Sequence, residues 1–219
     1  MHSSFATPVL FAFGMIANMA YAQDSRSDSP QVVFESYRTA LERDDWNSLY
    51  STLSPGYRDY MIFESVFAIG VGASSDEANA IIEKYVDKTK FEKLDAAIKQ
   101  RPTTEQCIAM FSQAIENKKG MFLDCSNYFD QKDKKNPDAN KPKFGPLVGL
   151  VINENVASAK SSVTSTIVCY SRTVGDAKDV RHVQEMTSDT PVYFIKSGEK
   201  WLFSTETEWQ KHNAKDANK

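Results

Sequence analysis

Twelve residues near the end of the chain, VYFIKSGEKWLF (Val192 to Phe203), limit the architectures open to it. Two short apolar runs flank Ser197-Gly198, the pattern of a β-hairpin. A turn at those two residues places Lys196 opposite Glu199, Phe194 opposite Trp201 and Val192 opposite Phe203. On the reverse side Ile195 meets Lys200 and Tyr193 meets Leu202. Both faces are largely apolar, whereas the solvent face of an antiparallel sheet ordinarily carries polar residues at alternate positions. Each side of this hairpin therefore needs cover.

The preceding sequence supplies helices. Ser29 and Pro30 are an N-cap and first helical residue, and Val33, Tyr37, Ala40 and Leu41 continue as one stripe. Asp44 or Asp45 caps a short helix carrying Trp46, Leu49, Tyr50 and Leu53, which Ser54-Pro55 ends. The next helix, Gly56 to Gly70, is apolar almost all round and is expected to be sandwiched. Ser74-x-x-Glu77 is a capping box before Ile81, Ile82, Tyr85 and Val86. The phase slips near Asp87 to Lys90 and resumes with Phe91, Leu94 and Ile98, predicting a kink or two helices. A second capping box, Thr103-x-x-Gln106, opens a helix carrying Cys107, and Gly120 separates it from one carrying Cys125.

After Pro146 the hydrophobic period shifts from helical to alternating. Leu147 to Ile152, Val156 to Tyr170 and a stretch beginning Val180 to Met186 read as strands ahead of the hairpin. Helices first and a meander afterwards make an α+β domain, with N-terminal helices packed on an antiparallel sheet of about four strands. The predicted organisation is one domain over 29–208, with helices at 29–131, a linker at 132–146 and the sheet at 147–208. Residues 209–219 read as a polar tail.

Residues 1–22 read as a secretory signal peptide. Val9 to Ala17 form its apolar segment, and Ala20 to Ala22 fit the small-x-small rule before Gln23. The apolar run falls short of the ~20 residues of a membrane span, and no Cys follows the cleavage point to take a lipid. A polar leader covers 23–28. The expected product is exported, periplasmic or extracellular, and soluble, without an integral membrane segment. A formal net charge of −3 gives no general attraction to nucleic acid. The Lys-rich run KDKKNPDANKPK, Lys132 to Lys143, reads as a solvated linker.

The three cysteines, Cys107, Cys125 and Cys169, sit at apolar positions of their elements and behave as small hydrophobes. If Asn117 to Gly120 is the turn between antiparallel helices, Cys107 and Cys125 are offset along the helices by roughly 7 Å, too far for easy bridging.

Two stretches resemble the nuclear transport factor 2-like (cystatin-like roll) superfamily. One is VVFESYRTALERDDWNSLYSTLSP (Val32 to Pro55), a helix, an Asp-Trp break and a second helix. The other is the closing VYFIKSGEKWLFSTE, similar to a terminal strand, Lys-x-Gly-x-x-Trp, strand pattern. The resemblance implies a curved sheet wrapped around helices as a cone-like roll, with a homodimer through the outer sheet face as one arrangement. The helices preceding the sheet are about twice what small members carry, and extra helices would fill the cone.

Enzymatic relatives of that family use acid–base residues inside the cone. An inward His182 beside a carboxylate such as Asp59 would have the groups for a general base; a structural histidine is the competing role. Tyr57 and Tyr60 are either pocket hydroxyls or packing aromatics. Ser197-Gly-Glu-Lys200 has Ser-x-x-Lys spacing but straddles a turn where that motif needs a helix. Gly70-Val-Gly72 lacks the third glycine of a dinucleotide fingerprint. The histidines and cysteines have no metal-ligand spacing. No catalytic, metal or cofactor residue is assigned. The leading reading is an exported, non-enzymatic domain binding a small molecule or a protein partner. Its alternatives are a small isomerase- or dehydratase-like acid–base enzyme and a structural envelope subunit.

Overall fold

The structure, a computed structural model, describes residues 29–72, 76–87, 89–90, 102–135, 141–171 and 180–216. The signal peptide and leader, the capping box at Ser74, the Phe91 to Ile98 stripe and the VGDAKD loop after β2 lie outside the described residues. Among the described residues six helices precede the sheet: α1 (Pro30–Glu42), α2 (Trp46–Thr52), α3 (Pro55–Gly72), α4 (Asp76–Tyr85), α5 (Thr104–Gln113) and α6 (Lys118–Lys135). Four strands follow, β1 (Lys143–Asn153), β2 (Val156–Ser171), β3 (Val180–Ser197) and β4 (Lys200–Ser204), and then α7 (Glu206–Asp216). The fold is α+β, with helices packed on an open antiparallel sheet in the order β1-β2-β3-β4.

Local chemistry sets the helix ends. Ser29 Oγ accepts the Val32 N–H at 3.3 Å ahead of Pro30. Asp45 caps α2, accepting the Ser48 N–H at 3.1 Å and the Ser48 hydroxyl at 2.6 Å. Asp44 turns the corner before it at φ +57°, ion-paired with Lys141 from the far end of the linker. Thr103 and Gln106 form the predicted reciprocal capping box. Gly120 is no helix breaker: it lies in the first turn of α6, where Asn117 Oδ1 accepts its N–H at 2.9 Å. A Cβ there would meet the Tyr85 ring at 2.8 Å, so glycine allows α4 and α6 to approach. The connection after α5 is instead a short bridge, with Asp87 N–H donating to Ala114 O at 2.9 Å and Glu116 N–H to Tyr85 O at 3.1 Å.

The sandwich expected of α3 is incomplete. It packs on α6 and α5 and touches β4, burying Ile62 and Ile69. Tyr60, Glu64 and Phe67, at i, i+4 and i+7, share the open flank, and Phe67 is 60% exposed.

Both faces of the hairpin are covered, by different helices. Its register differs from the predicted one by two residues: Phe194 pairs with Phe203 and Lys196 with Trp201, around a Gly198-Glu199 turn. Gly198 takes φ +64°, the left-handed geometry that two-residue hairpin turns require at their first central position. The predicted turn put Ser197 there, at greater steric cost. Because side chains alternate with period two, a two-residue shift leaves every residue on its predicted face.

On the inner face Val192, Phe194, Trp201 and Phe203 are buried. Tyr37 of α1 stacks on Phe203 with ring centres 4.6 Å apart and planes 4° from parallel. Phe34 lies 6.2 Å from the same ring, and Phe144 of β1 meets Tyr37 edge-on at 5.6 Å. On the outer face Ile195 and Val156 are buried, and Trp209 of α7 lies 5.4 Å from Tyr193. Residues 209–216, read as polar tail, are therefore part of the helix that covers the sheet.

A carboxylate pins α7 in place. Glu208 accepts the Ser54 hydroxyl, the Gly56 N–H at 3.3 Å and the Ser204 hydroxyl at 3.2 Å. Ser54 Oγ in turn accepts the Tyr57 N–H at 3.2 Å, so the start of α3, the end of β4 and α7 share one knot. Gly56 leaves room for it, since a Cβ would lie 2.7 Å from the carboxylate. At the same place Ser54 N–H donates to Phe203 O at 2.8 Å and Leu53 bridges Phe203, which occupies the outer edge of β4.

The sheet is longer than predicted. β1 begins at Lys143 rather than Leu147 and carries irregularities between Phe144 and Leu147 and between Val148 and Val151. Gly149, at φ +66°, lies in the second. The residues from Val180 and the first half of the hairpin merge into one strand, β3.

Candidate functional site

The β2–β3 pairing runs from Val156↔Ile195 to Ser171↔Val180, but its neighbours are short. β1 stops at Lys143, opposite Thr164, and the β4 ladder reaches only Tyr193 on β3. Residues 165–171 of β2 and 180–186 of β3 thus form a two-stranded arm beyond the described neighbours of the sheet. Pro191 stands beyond the end of the β4 ladder, in the part of β3 paired on one side, where a missing N–H is tolerated. From His182 to Asp189 every residue is exposed. Val183 and Met186 lie on opposite faces of β3 by alternation, and each is 50% exposed. An isolated two-stranded ribbon is marginally stable in water. The β2 half reads STIVCYS, and Thr164 and Thr187 exchange a hydroxyl hydrogen bond of 2.8 Å at its base.

The structure does not bring His182 and Asp59 together. His182 lies on the arm opposite Cys169, roughly 40 Å of strand away from Phe194 at ~3.3 Å per residue. Asp59 is one and a half turns into α3, beside the hairpin core, with Lys118 Nζ 2.8 Å from its Oδ1. Tyr57 and Tyr60 are packing aromatics, 6.0 Å apart and edge-on, and Tyr57 also meets the Phe203 ring at 5.2 Å. Burial pushes the Tyr37 phenol up to about 12 and raises that of Tyr57, so both hydroxyls stay neutral in the core.

Cys125 is buried and Cys107 partly exposed, both as free thiols. Burial first, and then the neighbouring Asp124 charge, pushes the Cys125 thiol up to about 12. Cys169 lies on the arm, at a position on β2 predicted from its alternation.

A second feature is a groove of about 470 Å³ between α4 and α6, lined by Glu77, Ile81, Lys84, Asp124, Asn127 and Tyr128 among others. Lys84 Nζ lies 2.8 Å from Asp124 Oδ2, and the Tyr85 hydroxyl donates to the same oxygen at 2.7 Å. Hydrogen bonds to Lys84, then to Tyr85, hold the Asp124 carboxyl below its ordinary value, and the bond to Asp124 raises Lys84. Both groups are locked in their charged forms, which suits recognition of a polar molecule and not proton transfer near neutral pH. In the sequence Glu77 reads only as a capping residue and Ile81 only as part of an apolar stripe; their spacing with Lys84 on one helical face is the signal that could have found half of this groove. Its partner stripe on α6 falls in a segment the sequence marked mainly by Cys125.

Among the described residues no three His, Cys, Asp or Glu side chains gather as a metal site, and no helix is long and apolar enough to cross a membrane. No family model, curated protein or solved structure matches the chain.

Proposed function

We propose that the chain is an exported, non-enzymatic binding domain that engages a protein partner through its β2–β3 arm. The observation that carries this reading is the arm itself: two long strands continue past both neighbours and keep half-exposed Val183 and Met186 on opposite faces. Such a ribbon gains stability when another chain covers it. The resemblance to the nuclear transport factor 2-like superfamily is consistent with a binding role, with the inner face of the sheet filled by Phe34, Tyr37 and Phe203 rather than left open. Export accounts for the apolar start of the chain, and N-terminal sequencing of secreted material would read Gln23 first.

The test is excision of the arm, with Ser165 to Met186 replaced by an Asn-Gly turn between the paired Thr164 and Thr187. The shortened protein is expected to melt within a few degrees of the parent and to lose its assembly in native mass spectrometry. Loss of the fold would show that the arm belongs to the body, and an unchanged assembly would show that it is idle. The α4–α6 groove supports a second reading, a small polar ligand held by Lys84 and Asp124; Lys84→Ala would abolish its retention without altering the assembly.

A further inference from the structure

We infer that the α4–α6 groove takes a neutral polyhydroxylated ligand, a sugar ring, with two neighbouring hydroxyls set on Lys84 and Asp124. This rests on the reading of the groove as a small-molecule site and is independent of the arm. The two helices run antiparallel along it. Lys84 reaches Asp124 at one end, and Glu77 and Gln131, seven residues before the one and after the other, also line it. At ~1.5 Å rise per residue they stand about 10 Å further along the groove. Between these ends Ala80 and Ile81 line the α4 side and Asn127 the α6 side. A volume of about 470 Å³ falls in the range of small-molecule sites, and the length suits a ring rather than a single ion.

Charge decides the class of ligand. The ion pair is within reach of solvent, with the Lys84 side chain 59% and the Asp124 side chain 35% exposed. An anion drawn to Lys84 would stand against the Asp124 carboxylate, whose Oδ2 is 2.8 Å from the ammonium. A cation drawn to Asp124 would stand against Lys84 in the same way, so each ionic ligand loses to one partner what it gains from the other. A hydroxyl both donates and accepts, and it meets neither penalty. The pair presents a donor and an acceptor one hydrogen bond apart, the spacing of gauche hydroxyl oxygens on adjacent ring carbons. One hydroxyl then accepts from Lys84 while its neighbour donates to Asp124. Lys84 spends one of its N–H donors on Asp124, and the bonds from Lys84 and Tyr85 both fall on Oδ2, which makes Oδ1 the acceptor for the ligand. The side-chain amides of Asn127 and Gln131 have the same dual character, and Ala80 and Ile81 offer apolar surface to the C–H face of a ring. Tyr128 supplies no stacking face, since Lys132 Nζ lies 4.5 Å from its ring centre.

The experiment is a titration of the full chain followed by amide chemical shifts. The probes are glucose, galactose, mannose, xylose and N-acetylglucosamine, with putrescine and succinate as charged molecules. At least one sugar is expected to shift the Ile81, Asp124 and Asn127 amides saturably, with a dissociation constant of about 1–10 mM; the charged probes should leave them in place. Lys84→Ala and Asn127→Ala should each weaken that sugar about tenfold or more. Both positions are exposed, so both variants should melt close to the parent, and excision of the arm should leave the titration unchanged. If no sugar gives a saturable shift at about 50 mM while putrescine or succinate does, the groove holds a ligand of another class and this inference fails alone. If no probe moves the groove amides, the inference and the reading of the groove fail together. A sugar response that survives both substitutions unaltered places the sugar elsewhere and overturns the inference.

Discussion

Replacing Glu208 by Ala tests how α7 is held on the sheet. The carboxylate accepts from the Ser54 hydroxyl, the Gly56 N–H and the Ser204 hydroxyl. Ser54 and Ser204 are buried. Ser204 keeps an alternative acceptor, Thr205 O at 3.1 Å, but the Ser54 hydroxyl and the Gly56 N–H lose theirs. An orphaned buried donor costs about 1–3 kcal/mol; Ser54 should lie in the upper half of that range and the half-buried Gly56 near its foot. Losing a carboxylate at the N-terminus of α3 adds about 0.3–1 kcal/mol. The sum is about 3–5 kcal/mol, equivalent to a fall in melting temperature of roughly 6–20 °C for a chain of this size. Urea denaturation followed by circular dichroism gives the free energy, and an unchanged m value would confirm that the denatured state is not the cause. Ser54→Ala and Glu208→Ala share one bond, so their double mutant should fall short of additivity by about 1–2 kcal/mol. Strict additivity, or a Glu208→Ala protein within about 0.5 kcal/mol of the parent, would refute the knot as the anchor of α7.

Three further outcomes follow from the geometry. Gly120→Ala forces a methyl group to within 2.8 Å of the Tyr85 ring, and chemical denaturation should register a loss of about 1–3 kcal/mol from overpacking. The Asp124 carboxyl is held below its ordinary value by Lys84 and Tyr85. Its contribution is therefore in place above about pH 4 and lost as the pH falls through the folded-state value, so Asp124→Asn should flatten the acid limb of a stability–pH profile; a limb of unchanged steepness would contradict the assignment. With the Cys125 thiol pushed up to about 12 and buried, a thiol reagent at mild alkaline pH should modify the partly exposed Cys107 in the native state and reach Cys125 only on unfolding, as peptide mapping would report.

The α+β order was legible because it rests on period: helical stripes to Cys125 and alternation after Pro146. The Ser29, Asp45 and Thr103 caps were equally readable, since capping needs only side chains within three residues of the helix start. The hairpin faces were legible but its register was not, because Ser197-Gly198 and Gly198-Glu199 are both two-residue candidates and steric preference at the first central position decides between them. α7 was missed for a different reason. In ETEWQKHNAKD only Trp209 is a large hydrophobe, and the helix is held by Glu208 meeting partners more than 150 residues earlier in sequence, a polar tertiary contact that no local pattern records. The arm was half legible: the long Val- and Thr-rich strand was visible, but a projection beyond the body depends on where β1 and β4 stop. His182 and Asp59 were candidates by residue type alone, and their separation is set by the length of β3.

The central claim is that the arm is a binding element and not part of the folded body. Amide hydrogen exchange on the full chain, measured by peptide at low and at high protein concentration, tests it most directly. The account predicts slow exchange at both concentrations for Tyr193 to Lys196, where β3 is paired on both sides, and fast exchange at low concentration for Arg181 to Thr187. Arm amides as slow as the body at every concentration would place the arm in the core.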